Sequence, residues 1–136
     1  MTATPVRSPS RPLSPHLTIW RWGPHMLVSI LHRITGGALS IVGTLVLLWW
    51  LWAAADGRRS YEYFTGWATH WVGVVIGVGL TWAFFQHTAS GLRHLFMDTG
   101  AGFELTTNKR WATVTATVPL LLTALLWAYI IWGDQL

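Results

Sequence analysis

Three long stretches of the chain carry no Asp, Glu, Lys or Arg: residues 34–55, 63–92 and 111–133. The shortest is enough for about 33 Å of helix at 1.5 Å per residue, close to the thickness of a bilayer's hydrocarbon core. Tryptophan edges each of them. Trp49, Trp50 and Trp52 close the first before Asp56-Gly57-Arg58-Arg59, Trp67 and Trp71 open the second, and Trp111 and Trp132 mark the third. Tryptophan at such places forms the aromatic belt of a membrane–water interface. The pattern predicts an all-α, integral membrane chain with three transmembrane helices at about 28–53, 64–94 and 110–132, joined first by a polar loop at 56–59. Residues 1–136 then form a single membrane-anchor domain.

Ahead of the first span, Pro5, Pro9, Pro12, Pro15 and Pro24 alternate with Arg7, Arg11 and Arg21. That composition predicts an extended or irregular segment over 1–24 at the inner face, with Trp20 and Trp22 as interface anchors. No apolar core of signal-peptide type precedes the first span, and the prolines would break a mitochondrial presequence helix. The expected location is the bacterial inner membrane.

Composition supports the same class, with 52% hydrophobic and 10% charged residues. The absence of cysteine excludes disulfides, zinc–thiolate sites and iron–sulfur clusters bound directly by this chain. A net charge of +4 invites a nucleic-acid reading, but the basic residues form no long run. Arg7, Arg11, Arg21, Arg33, Arg93, Lys109 and Arg110 fall on the N-terminal side and between spans two and three, against only Arg58 and Arg59 between spans one and two. This asymmetry predicts a cytoplasmic N-terminus and leaves no charge needing a nucleic-acid partner.

Small residues recur at helical spacing, Gly36, Ser40 and Gly43 on span one and Gly73 and Gly77 on span two. They let backbones approach closely, most simply within the chain. Three helices do not easily surround a large cofactor, so a partner membrane subunit and a hetero-dimeric anchor bundle are expected.

Within the second apolar run stands His87, with Gly91 and His94 four and then three residues on, hence on one helix face. His87 would lie about 9 Å deeper than Arg93, where an ionisable group is costly and usually functional. Three roles fit it: a neutral imidazole hydrogen-bonded to another helix, a proton relay, or a metal or haem ligand. The residues leave these open. Gly91 would clear room for something flat or for a close backbone, and His70, near the outer end, has only the hydrogen-bonding role.

Antiparallel threading brings Ser29, His32 and Arg33 level with Arg93, His94 and Asp98 at the inner end. Ser29 and Arg33 share a helix face and can both donate to a carbonyl or an anion. His32 lies about 100° round the helix and would serve another partner. The plainer account has Arg33 and Arg93 reaching for headgroups and Asp98 neutralising one of them. No acid lies near the level of His87, so a hydrolytic triad is excluded.

Arg11-Pro12-Leu13-Ser14-Pro15-His16-Leu17, then Ser29-Ile30-Leu31-His32-Arg33-Ile34-Thr35-Gly36, then His87 through Asp98 together resemble the cytochrome b subunits of succinate dehydrogenase, small membrane anchors of complex II. The resemblance covers residues 11–98 as ordered motifs and the third span by position. It implies that His87 is an axial ligand of a haem b whose other ligand comes from a second anchor subunit. It implies that Ser29 and Arg33 line a ubiquinone pocket, that His32 with Arg33 lies near the haem propionates, and that His94 stands by a propionate or behind the ligands. Electrons would arrive from an iron–sulfur subunit bound to a flavoprotein at the inner face, so this chain would not be catalytic alone. Trp20 departs from the tyrosine of many relatives, and Pro24-His25 matches no family pattern. A haem-free quinone-binding anchor and a non-redox membrane scaffold are the competing assignments.

Overall fold

A computed structural model describes residues 22–133; the motif at 11–17, Trp20 and the segment expected at the inner face before Trp22 lie outside the described residues. Four helices make up most of what is described: α1 (Pro24–Asp56), α2 (Arg58–Thr69), α3 (Trp71–Asp98) and α4 (Leu105–Trp132). Among them α1, α3 and α4, with 33, 28 and 28 residues, are long and apolar enough to cross a membrane. The all-α, three-span architecture expected from the charge-free runs is therefore present.

Pro24 begins α1, where its missing N–H and fixed φ suit the first helical turn. A single π-helical turn at Leu39–Gly43 interrupts the helix without ending it. Such a wider turn shifts the phase of the side chains beyond it.

The second span differs from its expected bounds. The polar stretch at 56–59 is not a loop: only Gly57 separates α1 from α2. The span itself starts at Trp71, because His70 adopts an extended conformation (φ −66°, ψ 151°) that ends α2. His70 Nδ1 then accepts the Val72 N–H at 3.4 Å, capping α3. Hydropathy could not mark this corner, since Phe64 and Trp67 before it are as apolar as the residues after it. Gly73 is required there, because a Cβ would lie 2.1 Å from the Trp67 carbonyl oxygen.

Helix α2 is amphipathic. Arg58 and Glu62 pair at 2.7 Å on its exposed side. Phe64 and Tyr63 lean on Trp49 of α1, with ring centroids 5.0 and 6.4 Å apart. A short helix with a charged side and an aromatic side suits a membrane surface.

Helix α3 packs against both α1 and α4. The buried residues of the three spans are mostly small or polar: Val28, Thr35 and Ala53 from α1, Ala83, Gln86 and Ser90 from α3, Ala112, Thr115, Pro119 and Thr123 from α4. The large aliphatic residues, among them Leu45, Leu48, Leu121 and Leu125, face outward. Lipid chains are as apolar as leucine, so helices in a bilayer gain by close backbone approach and hydrogen bonds rather than by hiding leucine. One such bond clamps α3 to α4. Trp127 Nε1–H donates to Thr81 Oγ1 at 3.2 Å, Thr81 donates to the Gly77 carbonyl at 2.7 Å, and the Trp127 ring rests on Gly77.

Gln86 and Ser90, one turn apart on α3, are both 0% exposed, and neither side chain has a hydrogen-bond partner among the described residues. A buried amide without partners costs roughly 1–3 kcal/mol. Replacing Gln86 with methionine, of similar length and no polar atoms, is expected to raise the thermal unfolding midpoint of the purified protein. A lowered midpoint would mean that the amide finds partners inside the bundle.

Candidate functional site

Pairing of α1 with α3 sets the site. In antiparallel register, Gly43 of α1 meets Leu80 and Gly36 meets His87. The Gly36 contact is close: a Cβ there would stand 2.9 Å from His87 Cε1. Glycine at 36 is what lets the imidazole lie flat against α1.

His87 is held through one nitrogen. Its Nδ1 lies 3.1 Å from the carbonyl oxygen of His32 and 3.3 Å from Thr35 Oγ1. A carbonyl can only accept, so Nδ1 carries the proton and donates. Nε2 is then the nitrogen with a free lone pair. Among the described residues it makes no hydrogen bond.

Around His87 the other imidazoles gather. His32 stacks on it, with centroids 4.0 Å apart and planes 6° from parallel, and His94 approaches His32 edge-on at 5.1 Å. His32, His87 and His94 thus meet at one place between α1 and α3. Even so, no group of three or more His, Cys, Asp or Glu among the described residues is arranged to hold an ion alone. Gly91 sits one turn beyond His87 with no neighbour within 4 Å of where a Cβ would be, leaving that flank of α3 open.

Ser29 and Arg33 share a face of α1. Ser29 is half-buried and Arg33 exposed, and Arg33 has no ion pair or hydrogen bond within the described chain. His25 lies nearby on the first turn of α1, half-buried.

Neutralisation by Asp98, the plainer account of the inner-end charges, does not occur. Arg93 Nη2 donates to Asn108 Oδ1 of α4 at 2.5 Å, and the one ion pair among the described residues is Arg58–Glu62. Five residues separate Arg93 from Asp98, about 140° round the helix, so the two cannot share a face. Asn108 was invisible as a partner because a lone asparagine before an apolar run carries no periodic signal. A groove of about 300 Å³ between α3 and α4, lined by Arg93, Phe96 and Trp111 among others, opens on another flank of α3 and includes none of the three histidines.

Thr35 is the site residue that residue-by-residue reading missed. It is 1% exposed, and its hydroxyl donates to the Leu31 carbonyl at 2.7 Å. With its proton so committed, its oxygen is free to accept from His87. Its spacing, three residues past His32 on the face turned to α3, was the available signal.

The donor set defines the chemistry open to this arrangement. A neutral imidazole, fixed by a carbonyl behind it and presenting Nε2, is the usual form of a histidine bound to a metal centre. A hydroxyl and an unpaired guanidinium on a neighbouring face can hold a polar oxygen.

Comparison with known proteins agrees in kind. Residues 7–128 match the family described as succinate dehydrogenase/fumarate reductase transmembrane subunit. The chain is similar to the succinate dehydrogenase cytochrome b556 subunit of Paracoccus denitrificans, 40% identical over 74% of this chain and 76% of that one. Similarity to the cytochrome b556 subunit of Rickettsia conorii is 37% over 86% and 90% of the two chains. Against the mitochondrial cytochrome b560 subunit of Sus scrofa it is 35% over 71% and 57%. With three membrane-crossing helices and a family match along nearly its whole length, the chain belongs to the succinate dehydrogenase/fumarate reductase transmembrane subunits.

Proposed function

We propose that this chain is the membrane anchor of a succinate:quinone oxidoreductase, giving one axial ligand, His87, to a haem b and two donors, Ser29 and Arg33, to ubiquinone. The observation that carries the reading is the Nδ1–H of His87 resting on the His32 carbonyl at 3.1 Å. It fixes the tautomer that leaves Nε2 for iron. The relatives' name, cytochrome b556 subunit, supports the same assignment.

The residues divide the work. As a ligand His87 would be the neutral imidazole, which places no charge in lipid. His32 and His94, beside it, are suited to propionate oxygens, with Arg33 as a charge-assisted partner. Ser29 and Arg33 donate to a quinone oxygen and stabilise the negative charge that reduction builds there. When bound, the haem would supply a one-electron carrier beside the quinone. The second axial ligand comes from a second small anchor subunit, and electrons come from an iron–sulfur subunit bound to a flavoprotein. The excess of basic residues at this end supports a cytoplasmic side for it, in a bacterial inner membrane.

A reduced-minus-oxidised spectrum of membranes holding this chain with its natural partners tests the reading. A low-spin b-type band reduced by succinate is expected. A co-purifying dehydrogenase without a Soret band would mark a haem-free anchor, and no co-purifying flavoprotein would mark a non-redox scaffold.

A further inference from the structure

The Nδ1–H of His87 faces two acceptors, not one. The His32 carbonyl at 3.1 Å is backbone and present whatever side chain stands at 32. Thr35 Oγ1 at 3.3 Å is a side-chain choice. It costs something to keep: a threonine hydroxyl in a helix bends its own hydrogen bond back to the preceding turn, here to Leu31 at 2.7 Å and more weakly to His32 at 3.2 Å. A valine would fill the same buried volume without that competition. The back-bond has one useful consequence. It consumes the hydroxyl proton, so the oxygen can meet His87 only as an acceptor.

We infer that Thr35 is a positioning residue for His87, its hydroxyl oxygen sharing the Nδ1 proton with the His32 carbonyl and so raising the electron-donating strength of Nε2. The inference rests on the reading of His87 as a haem ligand. An acceptor behind a ligating imidazole draws the N–H bond out and makes the ring more imidazolate-like, which favours the more oxidised iron. Thr35 therefore holds the midpoint potential of the haem down. Gly36 completes the arrangement sterically, since any Cβ there would push the ring away from both acceptors.

The test compares Thr35→Val and Thr35→Ser in the assembled complex, with His87→Leu in parallel, by redox titration of the haem band and by the low-spin electron paramagnetic resonance signal. Thr35→Val should raise the midpoint potential, so that the reduced-to-oxidised ratio at a fixed ambient potential rises about two- to fivefold, the worth of one modest hydrogen bond. Thr35→Ser should match the parent. A valine variant with parental potential and resonance, or a serine variant shifted as far as the valine one, overturns the inference. If Thr35→Val does not accumulate, Thr35→Ala replaces it. Should both fail to assemble where His87→Leu assembles, the hydroxyl serves the fold and the inference fails. If His87→Leu keeps the b-type spectrum, the ligand assignment itself has failed, which is distinguishable from a failure of Thr35 alone.

Discussion

Replacing His87 with leucine is expected to abolish the low-spin b-type spectrum of the assembled complex. Leucine matches the apolar surroundings, so the helix should insert as before, and the loss would be of a ligand rather than of a span. The ring is seated by Gly36, the His32 carbonyl and Thr35. No other imidazole among the described residues has that seat. His32 stacks parallel to His87 and His94 meets His32 by its edge, so neither occupies that seat in the structure. A tyrosine at 87 would test the point more sharply, since it offers an oxygen ligand from a longer side chain and should yield an altered rather than an absent spectrum. An unchanged spectrum in both variants would remove His87 from the site.

Replacing Arg33 with leucine should lower quinone reduction by about 10²-fold or more, and Ser29→Ala by a smaller factor, by analogy with removal of a preorganised donor from a developing negative charge. Arg33 is exposed on α1 and has no ion pair to lose within the described chain, so its loss should not unsettle the bundle. Succinate oxidation with an artificial dye, which draws electrons before they reach the membrane, should continue in both variants. The ratio of the two activities is the measurement. An equal fall in both would indicate failed assembly and would leave Arg33 without a quinone role.

Much of the fold was legible because charge is so costly in hydrocarbon. The runs at 34–55 and 111–133 end within a residue of α1 and α4, though those helices begin ten and six residues earlier, and a helix satisfies every backbone group of such a run in lipid. The corner at His70 was not legible. Residues on both sides of it are apolar, and the break depends on the extended backbone at 70 and on the missing Cβ of Gly73, neither of which changes hydropathy.

The site divides in the same way. Antiparallel threading puts His32 level with His94 and sets His87 about 9 Å deeper than Arg93, whereas the structure gathers all three imidazoles, His32 stacking on His87. Rotation of each helix about its own axis is a finer matter, set by which small residues touch. That rotation decides that Thr35 faces His87, that Gln86 and Ser90 face inward without partners, and that Arg93 meets Asn108 rather than Asp98.

The small, largely polar interior of the bundle has a practical consequence. The three spans can enter a bilayer independently, and few side-chain hydrogen bonds among the described residues cross from one span to another, so the chain alone has a weak grip on its own arrangement. Overproduced by itself, it should yield helical but loosely docked material in detergent. Balanced co-synthesis with whatever covers α1 and α3 is then a sounder route to a uniform sample than a higher yield of the isolated polypeptide.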